Sequence, residues 1–329
     1  MTRPDHATYR PPRRRPYRPD PVRDRWYTRA VALVSILALV AGAAGTWAIA
    51  TNTFGAGDRF ESLVARVDRF IAGPVPDRPA PSTILVTEPP ATPTPAPTVA
   101  PSGSLEPGAS ATPAPTPTPA PVREAVDIDI VRDPDAVFNS QVEKDWCSPA
   151  GVQMVLAQLG LMGTSDGEQR EIAGRVREWE SLSDSRNGRW GPAAMALALE
   201  AYGARGYEIR AFEGRKAALR DAARAIMETG APVILLTWKG AHTWVMTGFR
   251  ADADPTVFRD AQVSGAYILD PWYPRVSSIW GASDGPGVFQ DEEEMIRNFL
   301  PWQRPEGAYP DRDGLFITVV PTIPVTPAG

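Results

Sequence analysis

The sequence predicts a mixed α+β domain in the C-terminal part of the chain, and three observations lead to that prediction. Apolar residues recur at helical spacing in the first half of this part. Runs rich in β-branched and aromatic residues dominate its second half. Because the helices come first and most of the strands later, the pattern favours helices packed on an antiparallel sheet.

The N-terminus is a basic tail that we expect to be disordered and cytoplasmic. Residues 1–29 contain nine arginines and three aspartates, although the 329-residue chain as a whole has a net charge of −5. A short basic tail beside an acidic remainder is typical of a protein with two compartments and not of a nucleic-acid binder.

An apolar segment follows the tail, and no charged side chain occurs from Ala30 to Gly57. A helix of this length crosses a hydrocarbon core of ~30 Å. Because the arginines precede it, the positive-inside rule places the tail in the cytoplasm and the rest of the chain outside. We predict a transmembrane signal anchor at 30–52; the alternative is a signal peptide cleaved after Trp47-Ala-Ile-Ala50.

Two further segments precede the globular domain. At 58–72, apolar residues recur at helical spacing with charged residues between them, which predicts a short amphipathic helix. Residues 74–121 contain 16 of the 36 prolines, together with many threonines. Such a composition cannot bury enough apolar surface to fold, so we predict a disordered Pro/Thr-rich linker that holds the domain away from the membrane.

Residues 122–323 are predicted to form one globular domain. The expected helices are Ser148–Leu161, Glu168–Trp179, Pro192–Tyr202 and Arg215–Glu228. The expected strands are Gly206–Phe212, Pro232–Trp238, Thr243–Arg250, Ala266–Asp270, Ser277–Trp280 and Leu315–Val320. A further acidic run, Asp291-Glu-Glu-Glu294, is typical of the start of a helix.

Cys147 is the single cysteine of the chain, which excludes an intramolecular disulfide and a multi-cysteine zinc site. The sequence after it begins an apolar helix, and Pro149 suits the first helical turn. We expect Cys147 at the N-cap, where unpaired N–H groups and the helix dipole favour a thiolate. The alternative is an inert, buried cysteine at a helix start.

Three other side chains complete the parts of an acyl-transfer site. Gln141 precedes the cysteine by six residues, and its amide is suited to stabilise an oxyanion. His242 begins an apolar strand, and the other histidine, His6, lies in the basic tail. Asp270 ends a strand before Pro271, so adjacent antiparallel strands would bring it beside His242. The alternatives are a core histidine and an aspartate that caps a turn.

Three sequence strings together resemble the papain-like cysteine peptidases, and most closely the branch that processes bacteriocin leaders. They are Gln141…Cys147-Ser-Pro-Ala, Gly240-Ala-His242-Thr-Trp-Val-Met-Thr-Gly-Phe249 and Leu269-Asp270-Pro-Trp272. The family usually shows Gln, Cys-Gly-Pro-Ala, His-(Trp/Ala)-Val-Val and Asp-Pro in this order. The resemblance spans about residues 137–302. It implies a papain-like fold, with Gln141 as oxyanion residue, Cys147 as nucleophile, His242 as base and Asp270 as the residue that orients it.

The chain departs from this family at two points. Ser148 stands where the family usually has glycine. The leader-processing enzymes are typically fused to an ATP-driven exporter, whereas we expect no transporter domain in this chain. The resemblance therefore implies a peptidase of broader role, without a metal or organic cofactor and with a peptide or protein as substrate. Three alternatives remain open: a transamidase, an amidase that acts on cell-wall peptides, and an inactive peptide-binding module on a tether.

Overall fold

The computed structural model describes residues 21–50, 81–87, 121–185, 190–303 and 307–324, with six isolated residues between 67 and 80. The apolar N-terminal helix belongs to one unit, and the sheet with its helices belongs to a second unit that begins at Val75. The amphipathic helix predicted at 58–72 lies outside the described residues, except for Val67 and Ile71, which are helical. Most of the predicted linker also lies outside them.

Helix α1, Pro21–Ala50, contains residues 30–50 of the membrane segment predicted at 30–52, and residues 51 and 52 lie outside the described residues. Its segment Val31–Ala48 is long and apolar enough to cross a membrane. The helix begins within the tail that was predicted to be disordered, so that prediction is wrong from Pro21 onward. A proline suits the first turn of a helix, and an established helix extends at little cost through residues with adequate propensity.

Eight of the described strands form one sheet. Along the sheet they are β1 (Thr83–Leu85), β3 (Tyr207–Phe212), β10 (Phe316–Pro321), β4 (Val233–Thr237), β5 (His242–Ala251), β6 (Val263–Leu269) and β9 (Val288–Asp291), while β2 (Val126–Asp129) pairs with β5 beyond the end of β4. Every pair is antiparallel except β1 with β3. The predicted α+β class with a largely antiparallel sheet is therefore confirmed.

Helices cover both faces of this sheet. They are α2 (Pro134–Val137), α3 (Cys147–Gln158), α4 (Asp166–Gly174), α5 (Pro192–Ala201), α6 (Arg215–Thr229) and α7 (Glu292–Asn298). Helices α3 and α5 share one apolar core with Ile234 and Val245, whereas α6 and α7 share another with Leu235 and Trp244. Successive strand residues thus enter opposite cores, as the two-residue period of a β-strand requires.

Two predictions within this unit are wrong. Strand β1 lies inside the range predicted as linker, because the β-branched and apolar stretch around Thr83–Leu85 completes the sheet beside β3. The strand predicted at Ser277–Trp280 is also wrong: Ser277 ends the short strand β7 (Val276–Ser277), and Ser278–Trp280 is the turn that leads to β8 (Gly281–Ala282). The Ser277 hydroxyl accepts from the N–H groups of Ile279 and Trp280, which favours a turn over a strand.

Candidate active site

Cys147 is the first residue of helix α3, and its side chain is half-buried. The N-cap is Trp146, whose carbonyl accepts from the Ala150 N–H at 3.0 Å, so the prediction of Cys147 as N-cap is corrected by one residue. First-turn N–H groups of a helix have no intrahelical partner. The thiol therefore lies beside backbone donors and at the positive end of the helix dipole.

Helix α3 packs closely against strand β5. A Cβ atom on Gly151 would lie 2.6 Å from Cγ2 of Thr243, so glycine is what permits this approach. Thr243 follows His242 directly, and its hydroxyl lies 3.3 Å from that of Ser148. The helix–strand contact therefore sets the separation between the thiol and the imidazole.

His242, at the start of β5, and Asp270, directly after β6, meet where these antiparallel strands end. Nε2 of His242 lies 2.7 Å from Oδ1 of Asp270, and both side chains are buried. The same oxygen accepts from the Trp272 N–H at 2.9 Å, which fixes the carboxylate. Since Asp270 occupies Nε2, Nδ1 is the ring nitrogen left for the hydrogen bond that His242 shares with Cys147.

The electrostatics of the three groups favour a thiolate and an imidazolium. Burial opposes ionisation of the Cys147 thiol, but His242 and the hydroxyls of Thr243 and Ser148 lower its pKa below the ordinary value. Burial also opposes a charge on His242, yet Asp270 and Cys147 raise its pKa to about 9. Burial opposes the charge of Asp270 as well, and the attraction of His242 nevertheless lowers the pKa of its carboxyl.

Gln141 is buried, and both hydrogens of its amide are committed to the main chain. Its Nε2 donates to the carbonyls of Glu143 at 2.9 Å and Lys144 at 2.7 Å, while its Oε1 has no hydrogen-bond partner among the described residues. The backbone N–H of Gln141 donates to the Pro271 carbonyl at 2.8 Å. Its backbone is thus tied to the segment after Asp270, although its side-chain donors are occupied.

Two buried glutamines hold the segment that carries Gln141. Gln169 accepts from the Val142 N–H at 2.7 Å and donates to the Ser140 carbonyl at 3.1 Å. Its Nε2 also donates to Oε1 of Gln153, on helix α3, at 3.0 Å. The sequence analysis missed Gln153; the signal that could have indicated it is a glutamine inside an apolar helical run, because buried polar groups require partners.

A cluster of tryptophans surrounds His242, and sequence reasoning missed its role. Trp238 stacks on the imidazole with ring centroids 4.0 Å apart, and Trp272 meets it edge-on at 6.3 Å. The available signal was the position of Trp238, four residues before the histidine. Among the described residues, no group of three or more His, Cys, Asp or Glu is arranged to hold a metal ion.

The comparison with protein-family models agrees with the chemistry of these residues. The model of the Peptidase_C39 like family matches residues 135–295, just under half of the chain. A solved structure, described as a double glycine motif protease from an AMS/PCAT transporter in complex with the leader peptide, also matches. It is 20% identical, covers 60% of this chain and 99% of its own, and has a TM-score of 0.32. No curated protein matches the sequence. The family match includes the strings around Cys147, His242 and Asp270, so residues 135–295 are similar to the Peptidase_C39 like family, and this similarity supports a cysteine peptidase.

Proposed function

We propose that this chain is a membrane-anchored peptidase that hydrolyses peptide bonds outside the cytoplasm through Cys147, His242 and Asp270. The observation that carries the proposal is the continuous chain of contacts from thiol to imidazole to carboxylate, with 2.7 Å between His242 and Asp270. In this chain of contacts Cys147 is the nucleophile, His242 is the general acid and base, and Asp270 orients the ring and stabilises its charge.

The reaction proceeds through a thioester. The Cys147 thiolate attacks the carbonyl carbon of the peptide bond, and the resulting oxyanion is stabilised by the N–H groups at the start of helix α3. As the C–N bond breaks, the leaving amine takes the proton of the His242 imidazolium. Water then attacks the thioester, gives a proton to His242 and releases the acid and the thiolate.

Gln141 is the second oxyanion donor in this proposal. Its amide hydrogens bond the carbonyls of Glu143 and Lys144 in the substrate-free structure. One of these bonds must therefore be exchanged for the oxyanion when substrate binds. Loss of one such donor costs about 10²–10³-fold in kcat in other acyl-transfer enzymes, and we expect Gln141→Ala to lie in that range.

The decisive experiment measures the rate at which iodoacetamide alkylates Cys147 in the full-length chain in detergent micelles, from pH 5 to pH 10. We expect a reactive thiol at pH 6 in the wild type and in His6→Ala, which removes the other histidine. His242→Ala should shift the titration toward the ordinary thiol value of ~8.5. Coincident profiles of wild type and His242→Ala would refute the Cys147–His242 pair.

Substrate turnover separates the proposed peptidase from a transamidase and from an inactive binding module. A peptide library is incubated with the wild type and with Cys147→Ala, and products are identified by mass spectrometry. Free carboxyl ends that depend on Cys147 support hydrolysis, whereas products that form only with an added primary amine indicate transamidation. Peptides released from purified cell wall would identify a wall substrate, and the absence of any Cys147-dependent product would leave a binding module.

The extracytoplasmic location has its own test in intact cells. In a Cys147→Ala background, a cysteine is introduced at Ser102 of the Pro/Thr-rich segment or at Thr2 of the basic tail. The arginines that precede the apolar helix predict that a membrane-impermeant, charged thiol reagent labels only the cysteine at position 102 in intact cells. Labelling of position 2 alone would reverse the proposed orientation.

A further inference from the structure

Three aromatic rings, one of them the His242 imidazole, form a stack at the candidate active site. The Trp238 indole lies parallel to the His242 imidazole, with ring centroids 4.0 Å apart and an angle of 19° between the ring planes. Trp280 in turn stacks on Trp238, with ring centroids 5.7 Å apart and an angle of 6° between the ring planes. Trp238 and His242 are both buried, so the contact between them is shielded from water.

The position of Trp238 is determined from two sides. Its Nε1–H donates to Oδ1 of Asn298 at 2.9 Å, and Asn298 is itself held by the carbonyl and carboxylate of Glu294 at 3.1 and 3.2 Å. The backbone of Trp238 has a φ of 52° and that of Lys239 a φ of 62°. Bulky residues rarely adopt this left-handed conformation, and such strain persists where the surrounding structure demands it.

This geometry discriminates between the two protonation states of His242. The face of an indole ring attracts a cation, and the attraction is strongest where both partners are desolvated. A neutral imidazole gains less from the same contact. Among the described residues, the charged groups that face the imidazole are Cys147 and Asp270, and the neighbouring tryptophans carry no charge.

We propose that Trp238 is a positioning residue of this site, whose indole face holds the His242 ring in place and stabilises its protonated form. The stabilised imidazolium in turn increases the share of Cys147 that is thiolate. Asn298 and Glu294 serve this arrangement by fixing the indole. The role depends on the Cys147–His242 pair proposed above.

The test is the pH dependence of Cys147 alkylation by iodoacetamide in the full-length chain in detergent micelles. Trp238→Leu removes the aromatic face, Trp238→Phe retains one, and Asn298→Ala releases the indole. Trp179→Leu is the matched control, because Trp179 is 6% exposed against 7% for Trp238. Its ring contacts Trp190, Tyr202 and the Arg175 guanidinium, so this substitution removes a cation–π contact that does not involve His242. Circular dichroism verifies that each variant is folded.

We expect Trp238→Leu to slow alkylation at pH 6 about 30-fold, the factor that corresponds to a desolvated cation–π contact. Its thiol titration should move to higher pH, with a smaller shift in Asn298→Ala and near-wild-type behaviour in Trp238→Phe and Trp179→Leu. If Trp238→Leu does not fold, the thiol titrations of Asn298→Ala and Trp238→Phe test the proposal in its place.

Two outcomes would overturn this role for Trp238. One is a wild-type profile in Trp238→Leu, or in Asn298→Ala if that variant must decide. The other is an equal shift in Trp179→Leu, which would make the effect one of general packing. Both differ from failure of the Cys147–His242 pair, in which wild type and His242→Ala would already coincide.

Discussion

Among the described residues of the peptidase unit, two ion pairs are buried on both sides, and each joins an aspartate to a different kind of cation. His242 and Asp270 approach to 2.7 Å, and their side chains are 2% and 6% exposed. Arg312 and Asp184 approach to 3.1 Å, with side chains 2% and 1% exposed. In both pairs the aspartate also accepts backbone N–H groups, so the two sites begin from nearly the same local chemistry.

In the Arg312 pair, both the guanidinium and the carboxylate make further hydrogen bonds to structural groups, and we call such a pair closed. Arg312 donates to the Asp184 carbonyl at 2.7 Å and to the Thr83 hydroxyl at 3.1 Å. The Asp184 carboxylate caps helix α5 through the N–H groups of Ala193 at 3.0 Å and Ala194 at 2.8 Å. An arginine does not lose its proton in a protein, so this pair fastens strand β1, a loop and a helix permanently.

The His242 pair differs from the Arg312 pair in two respects, and we call it open. Its cation can lose a proton, and one ring nitrogen remains for the Cys147 thiol. A buried ion pair thus supports structure where the cation is permanent and fully bonded. In the proposed mechanism, such a pair supports chemistry where the cation titrates and one ring nitrogen remains available for a further hydrogen bond.

The largest effect should come from Cys147→Ser, which leaves both ion pairs intact. A serine hydroxyl does not ionise at the pH at which this thiol does, so we expect peptide hydrolysis to fall by at least about 10⁴-fold. The free energy of unfolding in urea should stay within about 0.5 kcal/mol of wild type. Substantial residual hydrolysis would show that the His242 pair acts without this nucleophile.

The next effect should come from Arg312→Met, which breaks the closed pair. Methionine fills most of the volume but leaves the Asp184 charge buried without its cation, which costs about 3–5 kcal/mol in comparable cases. The measurement is urea unfolding followed by circular dichroism, with Arg123→Met as control, since Arg123 bonds Asp252 and Asp260 at the surface. The control should lose far less stability. Equal losses would show that burial of the Arg312 pair has no energetic consequence.

The sequence was most informative where local chemistry is sufficient. The apolar spacing after Cys147 and the proline in its first turn predict helix α3 without knowledge of distant residues. The proline after Asp270 likewise marks the end of β6. These cues place Cys147 at a helix start and Asp270 at a strand end, although they could not show that the donors of Gln141 are committed to backbone carbonyls.

Features that depend on distant partners could not be predicted in this way. Strand β1 is three residues long, and the strand that accepts it, β3, begins more than a hundred residues later. Arg312 lies in an acidic turn, where an arginine is normally exposed, yet it belongs to the largest fully buried side chains. The stacking of Trp238 on His242 depends on an unusual backbone conformation that its sequence does not indicate.

A smaller effect should come from Gly151→Ala, which pushes helix α3 away from β5. The new methyl group would lie 2.6 Å from Thr243 Cγ2, and overpacking of this kind costs about 1–3 kcal/mol. Because the displacement separates Cys147 from His242, alkylation of the thiol at pH 6 should slow as well. Gly174→Ala is the matched control, since nothing lies within 4 Å of its Cβ position. Similar behaviour of the two variants would contradict the role of this contact.

The last effect should be a shift in pH dependence in Asp270→Asn. The pH profile of kcat/KM should be a bell, with an acid limb below the ordinary thiol pKa and an alkaline limb near the His242 pKa of about 9. An asparagine still accepts a hydrogen bond from Nε2 but carries no charge. The alkaline limb should therefore fall toward 6.5, the ordinary histidine pKa.

Stability should follow the same linkage. Because folding raises the His242 pKa, the stability from its positive charge is complete below pH 6.5 and is lost as the pH rises through about 9. Urea unfolding across this range should show that loss in the wild type and much less of it in Asp270→Asn. Asp184→Asn is the matched control, because Arg312 stays protonated throughout. It should lower stability without moving either limb of the bell, and a moved limb would mean that the two ion pairs are not independent.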